Sequence, residues 1–189
     1  MTEDHFWHII EHRLEWRILA PNLSTFLPKD RTNDEDIFIQ NLATYSEDEI
    51  LSFANYWYHH VFRPPELDLW AAAYLIEQGC SDDCFMGWVR PGAVLLGRER
   101  FENLVKDVES LAGLPNGGQE LFVGEFGSVV SSAYEMKTGR KLPDDIPNLP
   151  RAADPPGRIH YGDSRELSEL LPKLWARWKH EWGSERPRF

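Results

Sequence analysis

Advancing 100° per residue sorts most of this chain into segments with one apolar side, the signature of amphipathic helices. Over Asp4–Ala20, the residues Phe6, Trp7, Ile10, Leu14 and Ile18 share a side, and Pro21 stops the segment. A shorter helix is predicted around Asp34–Tyr45. Ser46-Glu-Asp-Glu49 then reads as a capping box opening a helix that turns Ile50, Phe53, Ala54, Trp57 and Val61 inward and ends at Arg63-Pro64-Pro65. Pro65–Gln78 differs from its neighbours. Leu67, Leu69, Trp70, Ala71, Ala72, Ala73, Tyr74, Leu75 and Ile76 leave its middle without a polar side, which predicts a buried central helix. Trp70, Ala72, Ala73 and Ile76 are accordingly expected to be almost fully buried.

Beyond Gly79, Ser81 is the expected N-cap of a further helix with Asp82 and Asp83 in its first turn, broken or kinked at Pro91-Gly92. Gly97–Ala112 follows as a helix with Phe101, Leu104, Val105 and Val108 inward. Glu120–Lys137 is read as another, its outer side small enough at Gly124, Gly127, Ser128 and Ser131 for a second helix to approach closely. Residues 141–162, with five prolines, predict an irregular strap. Ser164–Trp182 is expected to close the fold with Leu167, Leu170, Leu171, Leu174, Trp175, Trp178 and Trp182. No repeat and no alternating strand pattern appears. The expectation is one all-α domain over residues 1–189, an irregular bundle of six to eight helices around residues 65–78.

Composition narrows the class of function. The 189 residues carry a net charge of −11. Residues 1–150 hold 12 basic and 25 acidic side chains, a balance of −13, while residues 151–189 hold 8 and 6, a balance of +2. An acidic body repels phosphate backbones, so no nucleic-acid partner is expected, and a cationic protein surface is favoured instead. Met1-Thr-Glu-Asp-His5 does not read as a signal peptide, and the longest apolar stretch, near Leu67–Ile76, is far short of a membrane span. Two cysteines make no disulfide framework, so the expected address is the cytoplasm.

The run Asp68-Leu-Trp-Ala-Ala-Ala-Tyr-Leu-Ile76, then Gly79-Cys-Ser-Asp-Asp83, Phe85 and Trp88, resembles a bacterial family defined as a domain of unknown function, number 4240. Phe6-Trp7, Gly97-Arg98-Glu99, Tyr134-Glu-Met-Lys-Thr-Gly139 and Leu171-Pro-Lys-Leu-Trp175 extend the resemblance. This chain departs from the pattern at Gln78, where a second Gly is usual, at Cys84, and at Pro91-Gly92. The resemblance implies the fold and no particular activity.

Four constellations carry possible chemistry. At Cys80-Ser81-Asp82-Asp83-Cys84, one reading is a helix start served by its own cap and acids. The others are a polar pocket, with Tyr74, Glu77, Ser81, Asp82, Asp83 and Arg98 as candidate lining, and a catalytic thiol or metal site. His5, His8 and His12 share a side, as a metal stripe or as solvated surface. His60, beside solvent-facing His59, sits at the edge of the buried side, where a core histidine bonded to a carbonyl is expected ahead of a catalytic one. Trp175, Trp178 and Trp182, near Lys173, Arg177 and Lys179, either close the core or dock a partner or a second copy of the chain. No phosphate loop, nucleophile elbow or dinucleotide fingerprint appears, so no cofactor and no metal are expected. The leading expectation is an intracellular binding or regulatory module acting through a protein partner. The alternative is an enzyme or small-ligand binder with an acidic pocket at the Gly79–Asp83 helix start.

Overall fold

Helix-start chemistry accounts for where several elements begin in the computed structural model, which describes residues 1–13, 34–146 and 164–181. Thr2 accepts the His5 N–H at 3.2 Å and opens α1 (Glu3–Glu11). The acids Asp34, Glu35 and Asp36 fill the first turn of α2 (Asp34–Leu42), where they complement the helix dipole. The expected capping box at Ser46 and Glu49 is formed and opens α3 (Glu47–Val61). Pro65 precedes α4 (Glu66–Glu77), and Ser81 accepts the Cys84 N–H at the start of α5 (Asp82–Cys84). Then come α6 (Arg90–Leu95), α7 (Arg98–Lys106), α8 (Val129–Thr138), α9 (Ser164–Leu170) and α10 (Pro172–Trp178). Among the described residues the fold is all-α, with ten α-helices, short 3-10 turns at Val108–Gly113 and Gln119–Phe122, and no strand.

Helix length is where sequence periodicity misled. α1 ends at Glu11, and the rest of the predicted Asp4–Ala20 helix beyond Arg13 lies outside the described residues. The predicted Gly97–Ala112 helix divides at Asp107, whose backbone leaves the helical region (φ −153°) and whose carboxylate accepts the Glu109 N–H to open a 3-10 turn. The predicted Glu120–Lys137 helix is a 3-10 turn, an irregular stretch and then α8. The predicted closing helix Ser164–Trp182 is cut at Leu171, because Pro172 has no N–H to extend α9.

The opposite correction applies at Pro91-Gly92. The helix runs on from Asp82 to Leu95, passing through a π-helical turn at Phe85–Val89. Pro91 has no N–H to return to the preceding turn, and its ring crowds the carbonyl four residues back. The wider π turn accommodates both. That carbonyl, on Gly87, accepts the Gly127 N–H at 3.1 Å instead. Gly127 lies in the irregular stretch before α8 and not on the helix expected for it, yet it comes close: a Cβ there would lie 3.1 Å from the Gly87 Cα. Gly92 is tighter still, since a Cβ would meet the Leu121 carbonyl oxygen at 2.0 Å.

Large aromatics fill the centre. Phe6, Trp7, Phe38, Phe53, Trp57, Phe85, Phe101, Phe126 and Tyr134 are all buried. α2 and α3 pack on α8, α6 packs on α3 and on the Gln119–Phe122 turn, and α10 packs on α4 and the Val108–Gly113 turn. α4 buries Leu69, Ala71, Ala72, Ala73, Leu75 and Ile76 as a central helix should. It is nevertheless not enclosed on all sides. Leu67 is exposed and Trp70 and Tyr74 are only half-buried, so the expected full burial of Trp70 does not hold.

Candidate functional site

The corner between α4 and α5 is built by local chemistry. Gln78 ends α4 in the left-handed region (φ 56°), which favours Gly. The Gln78 side-chain amide donates to the Glu181 carbonyl, which holds the corner against the end of the chain's described part. The Trp70 indole N–H donates to the Cys80 carbonyl at 3.1 Å, and its ring stacks on Phe85 at 4.8 Å. The backbone at Cys80 is therefore fixed from both sides of the turn. Ser81 caps the helix, its Oγ 3.2 Å from the Cys84 nitrogen, while Ser81, Asp82 and Asp83 are exposed. Cys80 and Cys84 are both half-buried free thiols, and the Cys80 S–H donates to the Cys84 sulfur across 2.9 Å. Burial pushes the Cys80 thiol well up, and the contact with Cys84 and the carboxylates of Glu77 and Asp82 add to it.

Of the six candidate lining residues, Glu77 and Asp82 both act on the Cys80 thiol, and Arg98 is engaged elsewhere. Arg98 belongs to another face, its guanidinium 2.7 Å from Asp4 Oδ1 and its backbone N–H on the Glu11 carboxylate at 3.0 Å. A cavity of about 380 Å³ lies on that side, lined among others by Glu11, Arg13, Leu96, Glu99, Arg100 and Glu120. None of Tyr74, Glu77, Ser81, Asp82, Asp83 and Arg98 lines it. Glu120 is committed to the Asn116 and Gly118 N–H groups.

The histidines separate. His8 and His12 rings lie 4.0 Å apart, with His12 Nδ1 on the His8 carbonyl, and His5 meets Tyr45 edge-on. Among the described residues, no group of three or more His, Cys, Asp or Glu side chains is arranged to hold a metal. His60 is fully buried rather than at an edge, and neither ring nitrogen is hydrogen-bonded; the carbonyl partner expected for it is not there. Glu3 Oε1 stands 3.3 Å from Nε2. Of the three closing tryptophans, Trp178 is buried and donates its indole N–H to the Gly117 carbonyl at 2.9 Å. Trp175 is half-buried, and Trp182 lies outside the described residues.

Two buried charges escaped the sequence reading. Arg90 sits between the rings of Phe62 and Phe85, with Nη2 on Glu66 at 2.8 Å and Nη1 3.4 Å from the Val61 carbonyl. It joins the end of α3 to the start of α4. Glu109 accepts the backbone N–H groups of Lys173 and Leu174 at 2.8–3.0 Å, and so caps α10 from 64 and 65 residues away. Neither has a local sequence signal, because both partners lie far along the chain.

A family model for a protein of unknown function (DUF4240) matches residues 1–136, well over half of the chain. The chain belongs to the DUF4240 family. No curated protein and no solved structure matches it. The part matched by the DUF4240 model runs from α1 into α8 and contains the Gly79-Cys-Ser-Asp-Asp83 corner, while α9 and α10 lie beyond it. Among the described residues of this DUF4240 chain, no helix is long and apolar enough to cross a membrane.

Proposed function

We propose that this protein is a cytoplasmic binding or regulatory module that acts on a protein partner through the open side of the Asp82–Leu95 helix. The observation that carries the reading is the exposure of Met86 and Trp88, at 41% and 38%, directly after the exposed acids Asp82 and Asp83. On the other side of the same helix Phe85 and Val89 are buried, and the Gly127 N–H ties the backbone down. An exposed Trp on the same helix as exposed carboxylates suits a basic partner segment that carries an apolar anchor. Net charge favours the same kind of partner. The alternative of an enzyme or ligand pocket at Gly79–Asp83 draws no support from the 380 Å³ cavity, which lies on the Glu11 and Glu120 side.

The test compares the native chain with Trp88→Ser and with an Asp82→Asn/Asp83→Asn double variant, after confirming that all melt alike. Cross-linking in cells of origin should give the native chain a defined protein adduct that Trp88→Ser loses and the double variant weakens. The same adducts in all three would overturn the reading.

A further inference from the structure

We propose that Cys80 and Cys84 are a thiol–disulfide exchange site, which takes a low-molecular-weight disulfide such as oxidised glutathione and closes to an intramolecular disulfide. This goes beyond the partner-binding reading and does not rest on it. The geometry carries it. The two sulfurs are 2.9 Å apart, only about 0.9 Å beyond a disulfide bond, so a small side-chain rotation across the helix start closes the gap. Cys80 is held for the purpose by the Trp70 indole on its carbonyl, and Cys84 by the Ser81 cap on its N–H. Both thiols are half-buried beside exposed Ser81, Asp82 and Asp83, which leaves a way in.

The order of events follows from the hydrogen bond. The Cys80 S–H donates to Cys84, and burial together with nearby carboxylates keeps that proton on Cys80. Cys84 is therefore the attacking sulfur. Its thiolate attacks one sulfur of the glutathione disulfide, the S–S bond breaks, and one glutathione thiolate leaves and takes up the proton Cys84 released. Cys80 then gives up its proton and attacks the Cys84 sulfur of the mixed disulfide, expelling the second glutathione as a thiol. Two protein thiols are oxidised to one disulfide, and one glutathione disulfide is reduced to two thiols. The second step is intramolecular at contact distance, so the mixed disulfide does not accumulate. The ring closed spans only four residues of separation and adds little entropic stabilisation, which keeps the bond reducible.

The experiment treats the native full chain with oxidised glutathione and follows intact mass and titratable thiols. The expected product has lost two hydrogens, carries no glutathione, has no free thiol, and returns to the dithiol with dithiothreitol. Cys80→Ser is expected to stop at a stable glutathione adduct on Cys84, and Cys84→Ser to react at least about tenfold more slowly than the native chain. Two thiols that persist in the native chain would overturn the proposal. So would a native chain that accumulates the glutathione adduct. Equal reactivity of the two single variants would overturn the assigned order. Circular dichroism of each variant separates these outcomes from misfolding.

Discussion

The imidazole of His60 is stacked on Phe6, touches Trp7 and Phe101, and has no hydrogen bond to either nitrogen. Burial is the main reason its pKa falls from 6.5 to about 4; neighbouring His59 and Arg63 push the same way, against Glu3 and Glu102. Between those two values the unfolded chain binds a proton that the folded chain refuses. Stability is therefore full above about pH 6.5 and is lost as pH falls toward 4, by about 2 kcal/mol at about pH 5. His60→Phe should flatten that slope when Tm is measured at about pH 5 and about pH 7.5. Equal slopes in the two proteins would show that His60 is not the group responsible. Trp70 makes a second test at this scale. Half-buried, stacked on Phe85 and bonded to the Cys80 carbonyl, it should cost about 2 kcal/mol when replaced by Ala, below the roughly 3–5 kcal/mol of an enclosed Trp. Denaturant unfolding checks it, and a loss above about 4 kcal/mol would mean the ring is enclosed.

At the scale of elements, the Asp82–Leu95 helix shows why an interior proline need not end a helix. The π turn and the Gly127 N–H together meet the needs that Pro91 creates, and Gly92 lets the helix press against the Leu121 backbone. Gly92→Ala forces a Cβ against a carbonyl that belongs to a tight turn and cannot swing aside. It should cost about 3 kcal/mol or more. Gly113→Ala, where nothing lies within 4 Å of the added Cβ, should stay within about 1 kcal/mol. Paired thermal melts distinguish the two, and similar losses would show that the close approach at Gly92 is not tight. The helix endings follow the same logic: where periodicity ran through Asp107 and Leu171, a side-chain cap and a missing N–H cut it.

For the molecule as a whole, the open question is whether the family-matched part stands alone. α9, α10 and Leu171 between them supply Leu167, Leu171, Leu174 and Trp178 to the core, and burial of four such side chains is worth roughly 6–12 kcal/mol, comparable with a domain's whole stability. Arg177 donates to the Ala112 and Pro115 carbonyls, and Glu109 caps α10, so the tie is polar as well as apolar. A chain ending at residue 146 should therefore lack a cooperative thermal transition and lose its near-ultraviolet circular dichroism. A sharp, reversible melt near that of the full chain would show that residues 1–146 are self-sufficient.

Local hydrogen bonding was legible in the sequence. The Ser46 capping box, the Ser81 cap with Asp82 and Asp83 after it, the apolar sides of α1 and α3, and the all-α class all depend on partners within a few residues. The closeness of Cys80 and Cys84 belongs partly here, since four residues at a helix start keep them near. The sequence alone did not reveal that Arg98 pairs with Asp4, or that Met86 and Trp88 face out. Nor did it reveal that Arg90 and Glu109 are buried. A charge enters a core only where distant groups satisfy it. Those groups, Glu66 and the Val61 carbonyl for Arg90, and the Lys173 and Leu174 N–H groups for Glu109, are brought together only by the packing of the whole chain.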